Sequence, residues 1–322
     1  MGAFRSTQKN SMMKIAIVGP GSIGCLFGGL LSQGGHDVWL VDRHAERAHL
    51  LDRRGIWVSG VSGEFRSPVH ATSQPRDVGS VDLVLIAVKS YDTASAAATA
   101  QPLVSPETSV LTLQNGLGNL ETLQQALGAG RVIAGVTSQA ATLIAPGQVH
   151  HAGVGMTVIG EPSGEVSERL TAVESAFSEA GVQVELTTQL ASVLWAKLVV
   201  NAGINAVATL AQVRNGGIME SASLRQVLRS VISEVEQVAK AKSIRLPRSD
   251  MVLHAEETCQ RTANNLNSML QDYYRQRRTE VDAINGAVVR EGAAAGVPTP
   301  VNRALADLIR GLEETYAARV AR

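Results

Sequence analysis

The sequence predicts an α/β protein in two parts, an N-terminal domain built on a parallel sheet and an all-helical C-terminal domain. Three observations carry this reading. Residues 14–19 form a short apolar strand that runs into Gly19-Pro20-Gly21-Ser22-Ile23-Gly24, with a helical pattern over 22–33 and a second strand over 36–42. Residues 81–88 are almost wholly apolar, as in a strand covered on both faces. From Thr188 onward the pattern is nearly all helical.

The glycine run is a GxGxxG set between a strand and a helix, the arrangement of a Rossmann-type dinucleotide site. Gly19 permits the tight turn, Gly21 lets backbone approach a pyrophosphate, and Gly24 lets helix and sheet pack closely. The first turn of the helix, with Ser22 and Ile23, offers its free N–H groups to the phosphates. Asp42 and Arg43 follow the second strand and point in opposite directions. An acid there favours the ribose hydroxyls of NAD, whereas an Arg favours the 2′-phosphate of NADP.

Residues 56–60 and 65–72 read as a hairpin or a sheet edge. The strand over 81–88 ends at Lys89-Ser90, and another over 109–114 ends at Asn115. In open α/β sheets the carboxyl ends of the strands face the ligand crevice, so Lys89 and Asn115 are candidates. Asn115 and Gly116 are also ordinary turn residues. Two extended segments, 132–144 and 150–161, surround Pro146-Gly147; a helix over 166–180 and a strand over 182–187 close the first domain. His150 and His151 have no acid or Cys spaced to form a triad and read as structural.

The second domain opens with the helix 194–207, whose only strongly polar side chains are Lys197, Asn201 and Asn205. At about 100° per residue the three share one face, drifting by roughly 80° from first to last. A helix apolar nearly all round is buried, so its polar stripe faces a buried network or a cleft. Either Lys197 snorkels to solvent while the amides bond backbone, or a proton donor and two amides line a substrate groove. Further helices are expected over 221–243, 250–274, 279–295 and 302–318. In the second of these, Asn265 and Ser268 share a face. Thr279 reads as an N-cap with Asp282 as its reciprocal partner, which places Glu280 in the first helical turn, where the dipole favours its charge.

Bulk properties narrow the function. The 322 residues suffice for two cores, and 29 basic residues balance 29 acidic ones, so neither nucleic acid nor a membrane is an expected partner. The longest apolar runs are too short to span a bilayer. Cys25 and Cys259 form no CxxC, which suits a reducing cytoplasm, and the seven His residues include no HxxxH, so no metal is expected. Residues 1–12 read as a flexible lead-in with no signal peptide. Residues 1–6 also fit the loose N-myristoylation pattern, although nothing else suggests an anchor.

With these motifs in view, the chain from Met13 onward resembles the ketopantoate reductase (2-dehydropantoate 2-reductase) family. The matching stretches are GPGSIG at 19–24, VKS at 88–90, QNGLG at 114–118, LWAKLVVNAGINAVATL at 194–210, NNLNSMLQD at 264–272 and TEVDAING at 279–286. The resemblance implies an NADP-binding Rossmann-type domain over 13–187 and a helical substrate domain over 188–322, with a homodimer left open. It implies NADPH-dependent reduction of 2-dehydropantoate to pantoate in pantothenate and coenzyme A synthesis. Lys197 then matches the general acid, and Glu280 the catalytic-site group that binds the substrate hydroxyl and touches the cofactor. Asn201, Asn205, Asn265 and Ser268 match substrate ligands, and Asn115 a residue at the nicotinamide–substrate junction. Arg43 and Lys89 match contacts to the adenosine 2′-phosphate, while Asp42 keeps NADH open. The same chemistry follows from the residues: hydride reaches a carbonyl carbon, charge builds on oxygen, and a neighbouring ammonium stabilises and then protonates it. Burial lowers the pKa of that ammonium, and a nearby Glu280 raises it. Two alternatives remain: a reductase of another branched 2-keto acid, and a regulatory protein that binds NADP without turnover.

Overall fold

The computed structural model describes residues 12–318. The lead-in and the myristoylation pattern, apart from Met12, lie outside the described residues. The first domain runs β1 (Lys14–Val18), α1 (Ser22–Gln33), β2 (Asp37–Val41), α2 (Ala45–Arg54), β3 (Ile56–Gly60), β4 (Phe65–Ser67), β5 (His70–Thr72) and β6 (Leu83–Ile86). It continues through α3 (Thr93–Ala100), β7 (Ser109–Thr112), α4 (Asn119–Leu127), β8 (Val132–Thr137), β9 (Ala140–Ala145), β10 (Gln148–Gly153), β11 (Thr157–Gly160), α5 (Glu168–Glu179) and β12 (Val184–Leu186).

Eight of these strands form one sheet in the order β12-β11-β8-β7-β6-β1-β2-β5, parallel throughout except where β11 meets β8. The chain winds outward from β1 in both directions, so the switch point lies at its carboxyl end, where the glycine turn sits. Helix α1 and the core around Phe27 and Phe177 cover one face; Ala96, Ala97 and Ala100 of α3 and the leucines of α4 pack on the other. The remaining strands make a small second sheet, β4-β3-β10-β9, packed on α1. Thus 56–60 and 65–67 do pair as a hairpin, but the chain turns at Pro68, and His70–Thr72 becomes the edge of the main sheet beside β2. The two extended segments resolve into four strands, with Gly147 at positive φ in the β9–β10 turn.

The second domain runs α6 (Leu190–Ala211), α7 (Gly217–Glu220), α8 (Ala222–Ala241), α9 (Met251–Arg261), α10 (Ser268–Tyr274), α11 (Asn285–Ala295) and α12 (Pro300–Glu314). Helix α6 extends four residues beyond the predicted span at each end and is the axis of the domain, packed against α8, α9, α10, α12 and, across the seam, β8. By length and composition it would reach across a bilayer, but most of it is buried among these neighbours.

Two predicted helices need correction. The span 250–274 is broken: α9 ends at Arg261, and Asn267 begins α10 by accepting a hydrogen bond from Leu270 N through its side chain. Asn side chains bond local backbone in competition with the helix and therefore cap and break it. Asn265 consequently lies in the intervening loop, not on a helical face shared with Ser268. The span 279–295 is also shorter, because α11 starts only at Asn285. Residues 279–284 form a turn in which Thr279 Oγ1 accepts from Val281 N and Thr279 N donates to Glu313. Asp282 pairs with Arg278 and Arg310 instead of closing a capping box. Glu280 therefore owes its environment to tertiary partners and not to a helix dipole.

Candidate active site

Lys89, Asn115 and Thr137 follow or end β6, β7 and β8 at the carboxyl edge of the main sheet, facing α6 and the turn 279–284. Gly116 makes the closest backbone approach. It adopts φ +84°, and a Cβ there would strike the carbonyl of Ala283; the next residue, Leu117, donates its N–H to that carbonyl at 2.9 Å. Only glycine takes both this conformation and this proximity. The QNGLG loop is thereby fixed backbone to backbone on the segment that carries Glu280.

Glu280 is 6 % exposed and sits among donors from the other domain. Its Oε1 accepts from Ser90 N at 3.1 Å, and its Oε2 from Asn115 Nδ2 at 3.3 Å and Lys89 Nζ at 3.4 Å. Asn115 Oδ1 in turn accepts from Asn201 Nδ2 at 3.3 Å. A continuous polar path therefore runs from α6 through the β7 loop to Glu280. One turn before Asn201, Lys197 donates to Thr137 O at 3.2 Å. Burial holds its ammonium below the ordinary lysine range. The expected upward pull from Glu280 is not what Lys197 experiences, because the charge of Glu280 goes to Lys89. Asn205, 5 % exposed, makes no side-chain hydrogen bond among the described residues. Asn265 and Ser268 are exposed near α10, so the geometry unites Lys197, Asn201, Asn115 and Glu280 but leaves these two outside that hydrogen-bonded path.

Lys89 has a second partner that sequence reasoning missed. Its Nζ donates to Asp272 Oδ2 at 2.6 Å. Burial opposes the Lys89 charge, but the carboxylates of Glu280 and Asp272 outweigh it and hold the ammonium above its ordinary range. Burial pushes the Asp272 carboxyl up, and Lys89 opposes that shift only in part.

The glycine turn suits a dinucleotide pyrophosphate. Gly19 adopts φ +97° against Val88, and a Cβ on Gly24 would meet the Gly19 carbonyl, so both are packed tight; a Cβ on Gly21 would meet nothing within 4 Å. The first turn of α1 holds no acidic residue and no capping side chain, which leaves its amides for an anion. Ser22 Oγ accepts from Leu143 N at 3.0 Å and ties the turn to β9. Just beyond β2, Asp42 is buried. Its carboxylate is gripped by the Arg47 guanidinium, with Nη2 at 2.7 Å, and accepts from His44 N at 2.9 Å. Arg43 is 73 % exposed and leans on Asp92 at 3.6 Å.

Two family models match this chain: ketopantoate reductase PanE/ApbA over residues 15–164 and its C-terminal counterpart over 189–313. A 2-dehydropantoate 2-reductase of Halobacterium salinarum is 39 % identical over 92 % of this chain and 98 % of its own. A crystal structure of a PanE/ApbA family ketopantoate reductase from Ralstonia eutropha JMP134 aligns with TM-score 0.87 at 35 % identity, covering 94 % of this chain and 99 % of that one. A ternary structure of D-mandelate dehydrogenase with NADH and anilino(oxo)acetate aligns with TM-score 0.87 at 27 % identity, over 94 % and 99 %. With both halves matched in the order the fold presents them, the chain belongs to the ketopantoate reductase family and is an oxidoreductase acting on a CH–OH donor.

Proposed function

We propose that this protein reduces 2-dehydropantoate to pantoate with NADPH, a cytoplasmic step toward pantothenate and coenzyme A. Residues 13–187 hold the cofactor in this reading and residues 188–322 the substrate. The path from Asn201 through Asn115 to Glu280, one helical turn from Lys197, is the observation that carries it.

A bound nicotinamide supplies the hydride. The protein's part is to orient the keto acid and to manage one proton. Lys197 Nζ faces the carbonyl oxygen, stabilises the charge that builds there and then gives up its proton to the new hydroxyl. Burial assists that transfer, because it favours the neutral amine left behind. Glu280 accepts the substrate hydroxyl. The amides of Asn201 and Asn205, with Asn265 and Ser268 from the facing loop and helix, take the carboxylate without adding a cation that would retain product. Asn205 suits this role because the residue is 5 % exposed and its side-chain amide makes no hydrogen bond among the described residues.

Preference for NADPH is supported by the engagement of Asp42 with Arg47, which leaves the exposed Arg43 to meet a 2′-phosphate. The likeness to D-mandelate dehydrogenase favours a second reading, a reductase of another branched 2-keto acid with the same Lys197 and carboxylate clamp. The deciding experiment follows oxidation of NADPH and NADH with 2-dehydropantoate beside a panel of other 2-keto acids. The highest kcat/KM is expected for 2-dehydropantoate with NADPH. A higher value for an aryl or another branched keto acid selects the second reading, and no oxidation with any keto acid refutes both.

A further inference from the structure

The last residue of the 264–272 motif has no part in the reading so far. Asp272 stands on α10, is 5 % exposed, and contributes its carboxylate to an ammonium of the other domain. Among the described residues, no side chain other than Lys89 is hydrogen-bonded to it. Its own helix is capped by Asn267 and does not need it. A buried carboxylate is costly unless paired, so its position at the seam calls for a function there.

The arrangement sets one cation against two acids. Lys89 lies 2.6 Å from Asp272 and 3.4 Å from Glu280, so Asp272 holds the nearer place. Glu280 is left with one long contact to the ammonium and two neutral N–H donors. A carboxylate bound by neutral donors accepts a further hydroxyl readily. One closed into a one-to-one salt bridge must first give up a charge-assisted bond, about twice as strong as a neutral one.

We propose that Asp272 is a positioning residue for the reductase: it holds Lys89 away from Glu280 and so keeps the Glu280 carboxylate able to receive the substrate hydroxyl. This rests on the reading of Glu280 as that hydroxyl's acceptor. Without the Asp272 charge, Lys89 closes on Glu280, and the substrate must compete with an ammonium.

The test is steady-state kinetics of the full chain with NADPH and 2-dehydropantoate, with thermal melting to confirm folding. Asp272→Asn is expected to raise the keto-acid KM about tenfold while kcat stays within about threefold, the signature of weakened substrate binding. Asp272→Glu, which keeps the charge, recovers most of the loss. In a Lys89→Met background, Asp272→Asn no longer raises KM, because no ammonium remains to close on Glu280. If Asp272→Asn does not fold, Asp272→Ser takes its place. An unchanged KM, or the same rise with and without Lys89, overturns the proposal. Glu280→Gln separates the two assignments: if it leaves KM unchanged, the role of Glu280 fails and this inference fails with it. If it raises KM while Asp272→Asn does not, only the inference about Asp272 fails.

Discussion

Gly116→Ala tests how tightly the two domains are locked at the site. Gly116 has φ +84°, in the left-handed region, and a Cβ added there would lie 2.6 Å from the carbonyl carbon of Ala283 and 2.7 Å from its Cβ. Ordinary contact begins near 3.4 Å, so the loop and the 279–284 turn must separate by roughly 1 Å, the scale of misplacement that costs an active site about 10²-fold in rate. The left-handed conformation adds about 1–2 kcal/mol for alanine, and straining the Leu117 N–H to Ala283 O bond about another 1 kcal/mol. Gly118 supplies the control. It has φ +97°, but its Cβ would meet nothing within 4 Å, so Gly118→Ala carries the conformational cost alone. In melting and steady-state assays, both variants are expected to lose stability. Only Gly116→Ala is expected to lose about 10²-fold in kcat/KM, because Asn115 and Glu280 move apart. Equal kinetics in the two variants would refute the claim that this backbone contact sets the geometry of the site.

In the proposed mechanism Lys197 acts in its protonated form, and burial alone lowers its pKa, so kcat for reduction should fall as pH rises through a midpoint below 10.5, with Lys197→Met abolishing that alkaline limb. A midpoint at or above the ordinary lysine value would remove Lys197 from proton transfer. Arg43→Ala should weaken NADPH binding by about ten- to a hundredfold, the worth of a charge-assisted hydrogen bond, and leave NADH untouched in fluorescence titrations. Equal loss for both cofactors would mean that Arg43 does not read the phosphate. The paired guanidinium groups of Arg225 and Arg229 hold Glu256 down at about 2, from 4.5. The stability this group contributes is therefore complete above pH 4.5 and is lost as pH falls toward 2. Glu256→Gln should flatten the melting temperature across that window, and an unchanged acid slope would contradict it.

What the sequence disclosed follows from the range of the forces involved. The strand, glycine turn and helix over 14–33 were legible because apolar periodicity and the φ demands of Gly19 are local. The polar face of α6 was legible for the same reason, since Lys197 and Asn201 both reach the seam. Helices α2, α3 and α4 escaped: Thr93–Ala100 is almost all alanine and threonine and shows no apolar stripe, although Ala96, Ala97 and Ala100 pack against the sheet. The break before α10 had a readable signal, since Asn267 three residues ahead of Leu270 is an N-cap in form. The bond between Lys89 and Asp272 had none. It joins residues 183 apart, and no periodicity reports on that.

The two lysines at this seam show how one side chain serves opposite ends. Lys89 faces two carboxylates and is fixed as a cation, its proton held more firmly than in water. Lys197 has a backbone carbonyl as its hydrogen-bond acceptor, and burial alone acts on its pKa, so its proton is held less firmly. Neither property belongs to lysine as such; each follows from where the acids stand. Had Glu280 been placed beside Lys197, that ammonium would have become a better cation and a poorer acid. With Glu280 and the still nearer Asp272 paired to Lys89, the buried ammonium of α6 has no salt bridge among the described residues, and in the proposed mechanism this leaves its proton free to pass to the alkoxide as it forms.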